Sequence, residues 1–261
     1  MTAQRLRDAV WIGLAVVIGL YLIAPIILVI LFSFNTSALT SLPLTGFTLD
    51  WYRRLAAIDY FWPALWNSAI IGAAVSFLSV LIGTSAALAL SRMESVKAQR
   101  LIYVFSLPMM MPALVIGIAL LSFFVRLLTV RLGLITVIIG QLVVVLPFVI
   151  AIVYARLQNF DWAIVDSARD LGASPLRAFF TVTLPVIQST LVGAGLIGLA
   201  ISLDDFIITF FMIGSGNTLP TMVWGLVRTS LDPTINALAT VLILVSVGST
   251  ALALRFSRYR G

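Results

Sequence analysis

The sequence of 261 residues contains no cysteine and no histidine. Their absence excludes disulfide bonds, thiolate catalysis, haem ligation by histidine and the usual zinc sites. Charge is also scarce, since only 10% of the residues are charged and Lys97 is the single lysine. We therefore expect a protein that carries out no redox or metal chemistry itself and holds no metal.

Hydrophobic residues make up 61% of the chain, and the mean hydropathy is +1.14. A helix of about 20 apolar residues crosses the hydrocarbon core of a bilayer. Six stretches meet this requirement, at residues 10–32, 64–90, 101–125, 132–155, 187–213 and 237–256. The predicted fold class is all-α, a polytopic membrane protein with six transmembrane helices that forms one transmembrane domain over residues 1–261.

The basic residues indicate an orientation and not a nucleic-acid surface. The formal net charge is +6, but the sixteen Lys and Arg residues are spread over the loops. If the N-terminus lies inside, eleven of them are cytoplasmic, and the five outside are Arg53, Arg54, Arg126, Arg131 and Arg228. The positive-inside rule favours this arrangement, which places both termini in the cytoplasm.

The loop of residues 156–186 is unusually long for a connection between membrane spans, and it has helical periodicity. We expect a first helix over 162–171, ended by Gly172 or Ala173. Ser174 is typical of a helix cap, and Pro175 of a first helical turn. Pro185 is expected to open the next span. The prediction is a cytoplasmic helix-turn-helix that binds another protein.

The same loop resembles the signature Glu-Ala-Ala-x3-Gly-x9-Ile-x-Leu-Pro of the permease subunits of type I ATP-binding-cassette importers. The matching positions are Asp166-Ser167-Ala168, Gly172, Val182 and Leu184-Pro185. The chain departs from the signature by Asp for Glu, Ser for Ala and Val for Ile. The resemblance implies that this coupling loop docks in a groove of an ATPase, with Asp166, Ala168, Gly172, Leu184 and Pro185 as the coupling residues.

The resemblance also implies the partners. They are a second homologous permease, two ATPase subunits, an extracytoplasmic solute-binding protein and membrane lipid, with no nucleic acid. Lys97 follows Val96 and not a glycine, so the chain lacks a P-loop. We therefore expect no enzyme activity and no cofactor in this chain, ATP and magnesium being bound by the ATPases. The expected location is the bacterial inner membrane.

A second resemblance, to the second permease of spermidine/putrescine importers, covers nearly the whole chain. Its residues include Ser202-Leu203-Asp204-Asp205-Phe206, Thr209-Phe210-Phe211 and Pro233-Thr234-Ile235-Asn236-Ala237-Leu238-Ala239-Thr240. It implies that the cargo is a polyamine. Related importers of opines, amino-acid-like solutes or phosphonates share much of this pattern, so these substrates stay open as alternatives.

The pair Asp204-Asp205 suits a cationic cargo. Each carboxylate in a membrane span costs about 2.5–3.5 kcal/mol on insertion scales, so two of them indicate a function. On a continuous helix, Ser202, Asp205 and Thr209 form one polar stripe, which assigns Asp205 to the pathway. Asp204 is then expected in a helix contact or paired with Arg228. The pathway residues are predicted to be Asp205, Asp204, Ser202, Thr209, Phe206 and Trp224, the aromatic rings serving as walls.

Other functions compete with this prediction. An ATP-independent secondary transporter or channel also uses carboxylates within the membrane. A purely structural subunit is a further alternative, in which the partner permease makes all substrate contacts. An intramembrane aspartyl protease is disfavoured, because its two carboxylates must face each other, whereas adjacent residues on a helix point about 100° apart.

Overall fold

The structure is a computed structural model that describes residues 3–38, 43–229 and 232–258. Within these residues the only β-feature is an isolated bridge between Asn35 and Phe47. The helices of this described part are α1 (Ala3–Phe32), α2 (Asp50–Ala56), α3 (Phe61–Ser91), α4 (Ser95–Met110), α5 (Ala113–Ser122), α6 (Leu134–Gln158), α7 (Ala163–Asp170), α8 (Pro175–Ala178), α9 (Leu184–Asp204), α10 (Ile207–Met212), α11 (Leu219–Thr229) and α12 (Thr234–Arg258). Two π-helical turns, Phe123–Leu127 and Phe179–Thr183, follow α5 and α8.

The chain divides into two compact units. The first comprises residues 1–61 and 222–244, and the second comprises residues 62–221 and 245–261. The single domain over residues 1–261 stays a prediction.

The all-α membrane fold is confirmed. Five helical stretches in the described part are long and apolar enough to cross a membrane: Arg7–Phe32, Phe61–Ser91, Leu134–Gln158, Pro175–Asp204 and Thr234–Ala251. The pair α4 and α5 provides a sixth if the two are one broken span.

The third predicted span, residues 101–125, is not one straight helix. α4 and α5 meet at an angle of 95°. The bend follows from Pro112, whose ring disfavours a helical conformation at the preceding residue. Met111 is accordingly extended, with φ −90° and ψ 141°. The motif Pro-Met-Met-Met-Pro thus divides the span instead of only kinking it.

The fifth predicted span, residues 187–213, is also interrupted. α9 ends at Asp204, and α10 begins at Ile207. Asp205 between them is extended, with ψ 114°, and its carboxylate accepts hydrogen bonds from the amides of Ile208 and Thr209. The side chain therefore satisfies amides that a continuous helix would satisfy with backbone carbonyls.

In the second unit, the core is built around α6. Val145, Val149 and Val153 on this helix are fully buried. A Cβ atom at Gly83 of α3 would lie 2.7 Å from Val149 Cγ1, so glycine is required for this close packing. Ser76 of α3 donates a hydrogen bond of 2.7 Å to the carbonyl of Gly195, which joins α3 to α9.

In the first unit, the loop after α1 folds around Trp51. Trp51 is buried, and its indole donates a hydrogen bond of 2.7 Å to the carbonyl of Asn35. The Arg54 guanidinium carbon lies 4.8 Å from the ring centre of Trp51. This ring therefore stabilises the loop.

Asp232 precedes α12 and caps it. Its carboxylate accepts hydrogen bonds from the amide and the hydroxyl of Thr234, at 2.8 and 2.5 Å. Partial burial raises the pKa of Asp232, but these hydrogen bonds and the Arg54 guanidinium outweigh it and hold the pKa below its ordinary value.

Candidate functional site

The coupling loop, residues 156–186, folds as the predicted helix-turn-helix. Its first helix is α7, in which Val165 is the buried residue. Asp166 is exposed and Ala168 is half-buried. α7 therefore touches its own chain along a narrow strip and presents most of its surface outward.

Gly172 ends α7 because it adopts a backbone conformation that other residues avoid. Its φ is +89°. The Gly172 amide donates to the carbonyl of Arg169 at 2.9 Å, and the Ala173 amide donates to the carbonyl of Ala168 at 3.1 Å. This pair of bonds is a Schellman motif, in which the residue with positive φ is usually glycine.

The second helix begins at the predicted cap. The Ser174 hydroxyl accepts a hydrogen bond of 3.3 Å from the amide of Arg177, and Pro175 occupies the first helical turn. Pro175 lacks an amide proton, which costs nothing at this position because that proton would have no helical partner.

Pro185 lies in the first turn of α9, as expected, but α9 does not follow a loop. α8, the π-helical turn and α9 follow each other without a break, and the candidate span runs from Pro175 to Asp204. In the π-helical turn, the Leu184 amide donates to the carbonyl of Phe179, five residues earlier. Pro185 has no amide proton for the carbonyl of Thr181, so the wider turn accommodates it inside a continuous helix.

A groove lies where α7 turns into α8, and large apolar side chains project near it. The groove is lined by Asp166, Arg169, Asp170, Gly172, Ala173, Ser174 and Pro175. Leu171 at the turn is 90% exposed, and Leu176 and Phe180 are also exposed. Charged and apolar groups at one tip are what a protein partner can cover.

A second polar site lies at the break between α9 and α10. Three side chains predicted to share a stripe, Ser202, Asp205 and Thr209, are indeed together, but they meet around Gln141 of α6. The Gln141 amide nitrogen donates to Asp205 Oδ2 at 3.2 Å and to Thr209 Oγ1 at 2.9 Å. The Ser202 hydroxyl donates to Gln141 Oε1 at 2.5 Å. Gln141 therefore holds both sides of the break.

The Asp205 carboxylate is already occupied by donors from the chain. Besides Gln141, the amide and the hydroxyl of Thr209 both donate to Oδ2 at 2.9 Å. The amide of Ile208 donates to Oδ1 at 3.4 Å. Two small cavities border Asp205 and Gln141, each of about 10 Å³, which is room for at most one water.

Asp204 differs from its neighbour. It is exposed at the end of α9, and the expected contact with another helix stays a prediction. The rings of Phe206 and Phe210 lie close by in sequence, with centroids 5.4 Å apart. Trp224 lies on α11, where the guanidinium carbon of Arg228 is 5.8 Å from its ring centre. The pairing of Asp204 with Arg228 stays a prediction.

Gln141 is the residue of this site that sequence reasoning did not assign. It is buried, although its amide is polar and α6 is otherwise strongly apolar. A buried amide in lipid-spanning helices needs hydrogen-bond partners from another helix. A glutamine in an apolar span therefore indicates a contact between helices, but it does not show which helix is the partner.

Comparisons with known proteins identify the family and the fold of this chain. A family model described as binding-protein-dependent transport system inner membrane component matches residues 79–259. The putrescine transport system permease protein PotI of Escherichia coli strain K12 is 33% identical over 242 residues, which cover 87% of this chain and 83% of that protein. The spermidine/putrescine transport system permease protein PotC of Haemophilus influenzae is 31% identical over 243 residues, covering 93% of this chain and 94% of that protein.

Solved structures share the fold at low sequence identity. A chain of a bacterial ABC transporter involved in the import of the acidic polysaccharide alginate gives a TM-score of 0.73 at 16% identity, covering 97% of this chain and 96% of that chain. A chain of the inward-facing MetNI methionine ABC transporter gives 0.66 at 16% identity, covering 78% of this chain and 99% of that chain. The fold is therefore that of type I ABC importer permeases. Given the family match and the relatives above 30% identity, this chain belongs to the binding-protein-dependent transport system inner membrane components and is a transport permease, not an enzyme.

Proposed function

We propose that this chain is the membrane-spanning permease subunit of an ATP-driven importer of a small cationic solute of the polyamine class. The observation that carries the proposal is the exposed helix-turn-helix of the coupling loop. Its first helix ends in a Schellman motif at Gly172 and presents Asp166 outward. This is a rigid surface suited to a protein partner, and it continues into α9 without a break.

The proposal includes the partners of this chain. Two ATPase subunits bind ATP and magnesium, one docking on this loop and one on the loop of a second homologous permease. An extracytoplasmic binding protein delivers the cargo. The coupling loop and both termini lie on the cytoplasmic side of a bacterial inner membrane, which is where ATP is available.

A polyamine cargo is supported by the relatives and by the carboxylates. The relatives named above are putrescine and spermidine/putrescine permeases. Asp204 offers an exposed carboxylate to an ammonium group, and Phe206 offers an aromatic face to the apolar part of such a solute. The same stretch of the pathway is lined by Asp205, Ser202 and Thr209. Trp224 is assigned to the wall of the pathway.

The test is transport by the whole complex in sealed vesicles. Labelled putrescine and spermidine are supplied with the binding protein, and uptake is measured together with ATP hydrolysis. We expect uptake that requires ATP and is unaffected by collapse of ion gradients. Uptake driven by an ion gradient without ATP would overturn the importer class, while ATP-driven uptake of an opine, amino acid or phosphonate instead would overturn only the cargo.

Variants at each site separate coupling from cargo binding. Gly172→Val forces a β-branched residue into positive φ, and we expect it to abolish ATP-coupled uptake, while Gly172→Asn, which tolerates this conformation, retains most of it. Asp204→Asn is expected to lower polyamine uptake about tenfold, with rescue by Asp204→Glu. The exposed Asp59→Asn is the matched control and is expected to transport normally. Normal uptake by Gly172→Val or by Asp204→Asn would contradict the assignment of that residue.

A further inference from the structure

α7 has few attachments to the rest of the second unit. Val165 is its buried residue, and the helix is otherwise exposed or half-buried. Besides the chain itself, which continues into α9, side chains that contact other helices can pass on a movement that an ATPase imposes on α7. The contacts at the start of α7 therefore offer a second route for such a movement.

Trp162, the residue before α7, is one such contact. Its ring lies 4.7 Å from the ring of Phe160, which is buried in the core of the second unit at the end of α6. On Trp162 lies the guanidinium of Arg92, with its carbon 3.6 Å from the ring centre. This distance corresponds to close stacking of a planar cation on an aromatic face.

Arg92 belongs to the turn between α3 and α4, which is 70 residues earlier in the chain. Its amide donates to the carbonyl of Ala89, so it is fixed to the last turn of α3. Within the second unit, the Arg92 stack thus joins the beginning of the coupling helix to the end of a different membrane helix from α6 and α9.

α3 extends from this turn to the polar site. From Ser91 to Ser68 the helix runs for about 36 Å at 1.5 Å per residue. At its far end, the Asn67 amide donates to the carbonyl of Asn217 at 2.8 Å, and the Ser68 hydroxyl accepts from the amide of Leu219 at 2.9 Å. Ser68 also borders the small cavity beside Asp205.

We propose that the stack of Arg92 on Trp162 is a coupling contact that transmits movement of α7 to α3, and through α3 to the polar site at Asp205. Arg92 and Trp162 are positioning residues in this role, since neither contacts cargo. The inference rests on the proposed function, because it requires an ATPase docked on the coupling loop.

The experiment measures cargo moved per ATP hydrolysed by the complete complex in vesicles. This ratio does not depend on how much complex assembles, so a loss of expression does not imitate a loss of coupling. We expect Arg92→Gln and Trp162→Leu each to lower the ratio about fivefold. The double variant is expected to be no worse than either single variant, because both remove the same contact.

Conservative variants distinguish a coupling contact from a merely structural one. Arg92→Lys and Trp162→Phe keep a cation and an aromatic face, and we expect each to retain at least half of the wild-type ratio. Arg100→Gln is the control. It removes an exposed arginine that lies on α4, and we expect it to leave the ratio unchanged.

Different results would contradict the proposed function and the proposed coupling contact. If the wild-type complex takes up polyamine without ATP, the proposed function fails. If the wild type couples normally and Arg92→Gln keeps the full ratio, or if the losses in the single variants add in the double variant, the coupling contact is overturned while the function stands.

Discussion

At the scale of single residues, two adjacent carboxylates have different environments. Asp205 accepts four hydrogen bonds from Gln141, Ile208 and Thr209, whereas Asp204 is exposed. The helical spacing correctly placed Ser202, Asp205 and Thr209 together. It did not indicate that the chain itself supplies hydrogen-bond donors to Asp205, and the assignment of Asp205 to the pathway stays a prediction.

Gln141→Leu tests the hydrogen bonds across the helix break. The substitution removes the side chain that joins Ser202, Asp205 and Thr209, leaving buried groups with fewer partners. We expect a loss of about 1–3 kcal/mol in stability, seen as a lower Tm of the purified chain in detergent. Gln99→Leu, an exposed glutamine on α4, is the control and is expected to leave Tm unchanged. An unchanged Tm in Gln141→Leu would show that these bonds do not stabilise the break.

At the scale of helices and turns, the boundaries that could be predicted are those set by local chemistry. Gly172 and the Ser174-Pro175 pair gave the end of α7 and the start of α8, since their conformations depend on neighbouring atoms. The break after Asp204 has no proline or glycine. It depends on Gln141, which is 64 residues away from Asp205, so spacing within the span could not reveal it.

The π-helical turn Phe179–Thr183 is an element with a testable role. In Pro185→Ala, the new amide can bond to the carbonyl of Thr181, and we expect the turn to become α-helical. A π-helical turn holds one residue more than an α-helical turn, so its conversion would rotate α8 by about 100° relative to α9. This rotation would turn α7 away from the ATPase. We therefore expect uptake per ATP to fall several-fold while Tm stays the same or rises.

Pro63→Ala is the matched control for that substitution. Pro63 is exposed in the first turn of α3, outside the coupling loop, where an added amide proton has no helical acceptor, so uptake is expected to be normal. If Pro185→Ala transports as well as the wild type, the π-helical turn has no part in coupling.

At the scale of the whole molecule, the all-α fold with several membrane-spanning helices could be predicted because it depends on long apolar runs, while the described residues give five spans, or six if α4 and α5 form one. The 95° bend between α4 and α5 could not be predicted as an angle, since Pro112 allows several directions and packing selects one. The side of the membrane on which each loop lies is inferred from charge alone. The inference compares eleven basic residues assigned inside with five assigned outside.

The absence of cysteine makes that orientation directly measurable, because a single introduced cysteine is the only thiol of this chain. We expect Leu171→Cys, at the exposed turn of the coupling loop, to react with a membrane-impermeant maleimide only after permeabilisation of spheroplasts. Asp59→Cys, exposed in the first unit, is expected to react in intact spheroplasts. The reverse pattern would put the coupling loop outside, away from ATP, and would rule out its docking to an ATPase whatever its shape.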